Sequence, residues 1–292
     1  MSGFFNVVKK IGKKSNALYL HLIFSRIGMP EHQKIKNVVV IGAGNLATHL
    51  ALALHRKGIN VIQVLNRSRE AGERLARRVS AGFNNDLGGA DFGADLYILA
   101  VSDSAIEEVA RNLKLKDQLL VHTSGSVGMA SLSGASSNLG VFYPLQTFSK
   151  DRRINFSNIP VCIEANRSEN EEKLLQLARL ISKKAVLINS EQRKVLHMTA
   201  VFAGNFSSFM YTIAEDLLKK HGVPFGLLKP LIQQTAATAK HDDVFSRQTG
   251  PAVRGDTKIM DEHLEMLARH GAYMEIYDLI SKSIIKHKSR ND

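Results

Sequence analysis

Short apolar runs rich in β-branched residues punctuate the first two-thirds of the chain, and longer stretches with a helical period separate them. The runs over 37–41, 59–65, 95–101, 118–122, 139–143, 159–163 and 185–188 predict strands. Helical patterns fill the gaps: 45–57, ended by Lys57-Gly58; a second through Arg78 with Ser68 placed to cap it; and a short one from Ser104. Strand and helix in alternation predict a doubly wound α/β layer. After Ile188 no convincing strand remains. One helical pattern runs from Glu191 to about Lys220, where Gly222-Val223-Pro224 stops it, and further helices are expected near 225–239, 256–269 and 272–287. The expected division is therefore an α/β domain over 31–189 and an all-helical domain over 190–292.

The first 30 residues follow neither pattern. Phe4, Phe5, Val7, Val8 and Ile11 alternate with Lys9, Lys10, Lys13 and Lys14, a run too short and too broken to span a bilayer. Met29-Pro30-Glu31 reads as an ordinary start for the fold, so 1–30 is expected to be a basic tail or an over-long reading of the start. Composition elsewhere is that of a globular chain, 44% hydrophobic and 23% charged. The single cysteine, Cys162, permits no internal disulfide and favours a reducing compartment, the cytoplasm. Net charge is +12, but residues 1–28 contribute five Lys or Arg and no acid. With no RNA-binding aromatic signature and no helix-turn-helix signal, solvated helix faces and attraction for an anionic small molecule account for the charge better than nucleic acid does. No His, Cys, Asp or Glu constellation has usable metal-ligand spacing.

The strand at 37–41 runs directly into Gly42-Ala43-Gly44-Asn45-Leu46-Ala47, where a helix begins. Gly42 permits a tight turn. Gly44 lets backbone approach a pyrophosphate, and Ala47 lets the helix pack closely on its strand. Bare N–H groups at the helix start would face the phosphates. The second strand ends in Asn66-Arg67-Ser68, with no acid before Glu70. Binders of NAD usually carry Asp or Glu here for the ribose 2′-hydroxyl. Arg67 instead offers a planar fork, and Ser68 a donor, for a 2′-phosphate, which points to NADP(H). Val101 and Ser102 leave the next strand end, the side on which ligands of such sheets bind.

Taken with His122-Thr123-Ser124-Gly125-Ser126, Tyr143-Pro144, His197 with Asn205, and the segment Gln248–Asp256, this motif resembles the superfamily of 6-phosphogluconate dehydrogenase, ketopantoate reductase and pyrroline-5-carboxylate reductase. Within it, the likeness is greatest to bacterial NADP oxidoreductases whose C-terminal domain has no assigned function. The resemblance covers roughly 35–285. It implies a Rossmann sheet followed by a 6-phosphogluconate dehydrogenase-like helical domain, with homodimerisation through the latter. It also implies that the Ser124-Gly125 step lies beside coenzyme and substrate. Ser124 and Ser126 could hydrogen-bond a carbonyl or carboxylate, or merely satisfy a turn. Relatives carry a catalytic Lys and an Asn on the long helix. Here His197 would replace the Lys as proton donor, imidazole being the side chain that exchanges a proton near neutral pH, with Asn205 as the second catalytic residue. At about 100° per residue the two lie about 80° apart, roughly on one side of the helix. Gly204 beside Asn205 suggests close approach by another group. His122, ending a buried strand, reads as structural, and Tyr143-Pro144 stands where prephenate dehydrogenases have His-Pro. Thr249 and Arg254 could clamp a substrate carboxylate, and Asp256 reads as a helix cap.

The reading is an NADPH-dependent reductase of a small carbonyl or imine substrate bearing a carboxylate. The alternatives are a non-catalytic NADP(H)-binding or sensing protein and a deazaflavin-linked NADP oxidoreductase.

Overall fold

The computed structural model describes residues 34–149, 154–240 and 243–291, so the segment expected to be a tail lies outside them. Eight strands form one sheet: β1 (Asn37–Ile41), β2 (Asn60–Leu65), β3 (Gly82–Asn84), β4 (Leu96–Leu99), β5 (Leu119–His122), β6 (Asn138–Pro144), β7 (Val161–Ala165) and β8 (Ala185–Leu187). Their spatial order is β3-β2-β1-β4-β5-β6-β7-β8. Every pairing is parallel except β6 with β7, where Tyr143 faces Cys162. That reversal is not foreseen by the apolar pattern, which reports a strand's existence but not its direction.

The helices between strands are α1 (Asn45–His55), α2 (Arg69–Arg78), α3 (Ile106–Asn112) and α4 (Ser168–Ile181). The period of two along β1 explains why the sheet is covered on both faces. Val38 and Val40 join a core with Leu50 and Leu54 of α1 and Leu174 and Ala178 of α4. Val39 and Ile41 point the other way, into a core with Ile106 and Ala110 of α3. Each fully buried Leu or Ile contributes about 1.5–3 kcal/mol relative to exposure. The chain runs outward from β1 in both directions, so the carboxyl ends of β1 and β4 flank the switch point where such sheets open a crevice.

Two compact units divide at Val201 and Phe202, some way beyond the division expected at 189/190. The intervening helix α5 (Ser190–Ala200) belongs with the sheet because Arg193, wholly buried, pairs with Glu164 of β7. The single long helix expected over 191–220 is also interrupted: a π-helical turn over Val201–Phe206 separates α5 from α6 (Ser207–Lys220).

The second unit is all helical: α6, α7 (Lys229–Thr238), the short α8 (Pro251–Arg254), α9 (Thr257–Leu267) and α10 (Gly271–Asn291). Gly222, at φ +67°, turns the chain out of α6. Asp256 caps α9 as expected, its carboxylate accepting from the Ile259 amide. Among the described residues of this unit only Ala252 and Leu267 are buried. No helix among the described residues is long and apolar enough to cross a membrane.

Candidate active site

Two glycines shape the first βα corner for different reasons. Gly42 sits at φ +113°, and a Cβ there would lie 2.3 Å from the carbonyl oxygen of Ala100. The protein's own packing therefore demands this glycine. Gly44 sits at φ −71° as the N-cap of α1, and a Cβ there would meet nothing within 4 Å. The space before it is open, and no side chain caps the helix. Free N–H groups and the positive end of the helix dipole face that space.

A cleft of about 840 Å³ opens here, of a size that suits a nucleotide. It gathers Gly42, Ala43, Gly44, Asn45, Leu46, Asn66, Arg67, Ser68, Val101 and Ser102, ten of the residues singled out for the coenzyme. Arg67 is exposed, and its guanidinium makes no ion pair among the described residues. Ser68 occupies the N-cap position of α2, but its hydroxyl makes no capping hydrogen bond, contrary to the expected cap. The Asn45 amide donates to the Phe148 carbonyl at 3.0 Å and so ties the loop after β6 to the start of α1. The pattern did not reveal Asp86, Leu87 and Gly88, which follow the three-residue β3, nor Glu108 and Asn112 of α3, all of which line the same cleft. An open glycine, an uncapped helix start and an unpaired guanidinium in one cleft fit a dinucleotide bearing a third phosphate.

Ser124 does not line this cleft. It is buried in the loop after β5, where its Oγ accepts from the amides of Ser126 (3.1 Å) and Val127 (3.0 Å). That is turn chemistry. The Ser126 hydroxyl donates to the Asp103 carboxylate, one residue beyond the cleft-lining Ser102. His122 is structural, as expected. Its Nδ1 accepts from the Ser124 amide at 3.1 Å. Burial, then the nearby Arg193 charge, pushes its pKa down to about 4, against smaller opposing effects of the Gly128 backbone and Asp103. The ring is neutral, with Nε2 enclosed and lacking a hydrogen-bond partner.

Next to this loop a strand end and a helix bring two side chains together. The Tyr143 hydroxyl, at the end of β6, lies 3.2 Å from Nδ1 of His197 on α5. Gly125 makes room for both: a Cβ there would come within 2.7 Å of His197 Nδ1 and of Tyr143 Cζ. Burial first, then Cys162 and Asp103, pushes the Tyr143 phenol up to about 12, with Arg193 opposing. The phenol is therefore protonated at any physiological pH. Arg193, one helical turn before His197, donates to the Val127 carbonyl at 2.6 Å as well as to Glu164, and so pins α5 against the serine loop.

The other expected residues belong to the helical unit. Asn205 is exposed on the π turn, where the count of 100° per residue fails, and its side chain makes no hydrogen bond to a described residue. Apart from its own helix, no described residue comes within 4 Å of a Cβ built on Gly204, so no described group of the chain accounts for this glycine. Thr249 lines an apolar pocket of about 290 Å³ with Met210 and Tyr277. Arg254, exposed at the end of α8, does not line it, so the two do not form one clamp around that space.

Two family models match the chain: "NADP oxidoreductase coenzyme F420-dependent" over residues 37–125, and a domain of unknown function over residues 159–284. A crystal structure from Bacteroides fragilis, provisionally described as an NADP oxidoreductase, is 41% identical. It covers 87% of this chain and 99% of its own, with a TM-score of 0.81. An imine reductase from Myxococcus stipitatus in complex with NADP+ shares the fold at 17% identity, covering 87% of this chain and 94% of its own, TM-score 0.64. A pyrroline-5-carboxylate reductase from Coxiella burnetii does so at 16% identity, covering 88% and 98%, TM-score 0.53. No curated protein matches the chain.

Proposed function

We propose, for a chain that belongs to the family of NADP oxidoreductases in which a dinucleotide domain precedes a domain of unknown function, that it uses NADPH to reduce a small carbonyl or imine substrate bearing a carboxylate. The coenzyme of the family is NADP, and the bound coenzyme supplies the hydride. On this reading the amides from Ala43 to Leu46 hold the pyrophosphate, and Arg67 and Ser68 hold the 2′-phosphate. Val101 and Ser102 lie along the coenzyme. The protein adds a proton at the reduced centre, and His197 is the group that carries it. Ser126, Thr249 and Arg254 are the candidates for substrate contact, and Asn205 and Ser124 for support of the catalytic group.

The observation that supports this most is a short chain of contacts. Ser102 lines the coenzyme cleft, Asp103 beside it accepts from Ser126, and Gly125 next to Ser126 packs against His197. A proton-exchanging ring is thereby held near the crevice that takes the coenzyme. Steady-state oxidation of NADPH across oxo-acids and cyclic imines is the test. We expect turnover of at least one class, and a loss of about 10²- to 10⁴-fold in kcat for His197→Ala with NADPH affinity retained. Tight NADPH binding with no turnover of any substrate would leave the non-catalytic binding role instead. The matched family model favours one second reading, hydride exchange between NADP and a deazaflavin. Adding an oxidised deazaflavin to the same screen separates the two.

We also propose that the protein works as a homodimer, in the cytoplasm. The support is the surface of the helical unit, where Phe202, Phe206, Phe209, Leu231, Met266 and Leu279 are exposed. Apolar exposure on that scale marks a surface covered by another protein.

A further inference from the structure

Tyr143 is buried at the end of β6, and among the described residues its hydroxyl has one hydrogen-bond contact, Nδ1 of His197, 3.2 Å away. A buried hydroxyl that donates to nothing costs about 1–3 kcal/mol, so the O–H points at the imidazole. A ring nitrogen that accepts carries no hydrogen, which leaves the hydrogen of the neutral imidazole on Nε2. That second nitrogen has no partner among the described residues, is not enclosed, and belongs to a half-buried residue. The phenol is the right group for this task because it keeps its proton at about pH 12 and below.

The local packing serves the same pairing. Gly125 is buried and bare where any side chain would wedge the two rings apart, 2.7 Å from each. Tyr143 is held from beneath by Cys162 in the adjoining strand. His197 is held by α5, which Arg193 fastens to Glu164 and to the Val127 carbonyl. Arg193, Asp103 and Cys162 are the charged or titratable groups that act on the phenol from α5, the β4 loop and β7.

We infer that Tyr143 is a positioning residue: it orients the His197 ring and fixes its hydrogen on Nε2, so that this N–H is the group presented to the substrate's carbonyl oxygen or imine nitrogen. The inference rests on the reductase reading for its consequence in catalysis, but not for the state of the ring. In the reductive step, for which bound coenzyme would supply the hydride, Nε2 would give its proton to the substrate heteroatom while the phenol proton moves to Nδ1, so that the ring stays neutral, and the phenolate would regain its proton from water.

The decisive measurement needs neither coenzyme nor substrate. Long-range proton–nitrogen NMR spectra of the full-length protein, recorded above the imidazole titration, report which nitrogen of His197 carries hydrogen. In the native protein we expect the Nε2–H form alone. In Tyr143→Phe, which keeps the ring and its packing, we expect the Nδ1–H form to appear. Gly125→Ala, which keeps the phenol but separates the pair, should give the same mixture. A native ring already mixed, or a Tyr143→Phe spectrum unchanged, overturns the inference even if the enzyme is active. The kinetic arm follows from the same idea. Tyr143→Phe should lower kcat by about 10- to 100-fold with KM for NADPH unchanged, as for other groups that orient a working histidine. Because the two residues act as a unit, Tyr143→Phe combined with His197→Ala should be no slower than His197→Ala alone. A double variant slower by the product of the two losses would make the phenol an independent acid and overturn the positioning role. If the spectra behave as expected and no substrate is turned over, the reductase reading fails and the assignment of the ring stands.

Discussion

The sheet-bearing unit and the helical unit are made of similar proportions of apolar residues but use them differently. In the first, alternate residues of β1 and β4 serve two cores, and Val38, Val39, Leu96, Tyr97 and Leu99 are all wholly buried. In the second, Phe202 is 63% exposed, Leu279 67% and Met266 71%. A parallel sheet wrapped by helices closes its own core. A layer of antiparallel or crossing helices with one apolar face inward and another outward does not. The first unit is thus a complete scaffold, and Tyr143 and His197 are held by buried polar contacts within it. The second unit leaves large apolar side chains exposed on its surface.

The largest effect is expected where the scaffold's self-sufficiency depends on charge. Arg193 is wholly buried, and its side chain pairs with Glu164. Removing Glu164 leaves the wholly buried Arg193 charge uncompensated, which costs about 3–5 kcal/mol. Glu164→Ala should lower stability by that amount in denaturant unfolding; Arg193→Ala should cost less, because Glu164 is partly exposed and keeps its bonds from Ser190, and both should loosen α5 and with it His197. Replacing both partners together by apolar residues should cost less than either single change.

The next effect is a pH dependence centred on His122. Its folded-state pKa is depressed from 6.5 to about 4 by burial. Below pH 6.5 the unfolded chain takes up a proton that the native ring refuses. Stability is therefore full above about pH 6.5 and falls as pH drops toward 4. The loss over that window is about 3 kcal/mol. In His122→Gln, unfolding free energies measured from pH 7 to 4 should have a flatter slope than in the native protein. Equal slopes would mean that His122 is not the group responsible.

The helical unit is tested through assembly. Exposed aromatic side chains at the centre of an interface are worth about 2 kcal/mol or more each. Phe202 and Phe206, whose rings pack edge to face at 5.0 Å, form such a cluster. Phe202→Ser with Phe206→Ser should shift the light-scattering mass from dimer toward monomer. A native protein that is monomeric at all concentrations would erase the contrast between the two units.

How much of this was legible in sequence follows from what each signal encodes. The cleft proposed for the coenzyme was legible because its parts are contiguous: a strand, a glycine turn and a helix start within ten residues, then Arg67 at the end of the next strand. Strand and helix order was legible for the same reason, period by period. The pairing of Tyr143 with His197 spans 54 residues of sequence. Nothing local at either residue says that a helix face will meet a particular strand end. Arg193 was illegible because arginine is ordinarily a surface residue, and only its burial against Glu164 makes it structural. The π turn was hidden because Val201–Phe206 continues a helical pattern, and Gly204 alone hints at a change. The three-residue β3 lacks an apolar run, so the cleft wall that follows it went unnoticed.

The smallest expected change in stability sharpens the comparison most, because it sets two glycines only two residues apart against each other. Gly42→Ala forces a Cβ into the Ala100 carbonyl and a side chain into left-handed backbone, φ +113°. Backbone strain alone costs about 1–3 kcal/mol, so this variant should unfold earlier whether or not coenzyme is present. Gly44→Ala meets no atom of the protein and keeps an ordinary φ of −71°. Its unfolding free energy should stay within about 0.5 kcal/mol of the native value. If the open space before Gly44 is where a pyrophosphate lies, the added methyl occupies it, and calorimetry should show NADPH affinity falling tenfold or more. A Gly44→Ala protein that binds NADPH with native affinity would move the phosphates away from the start of α1, and with them the whole placement of the coenzyme.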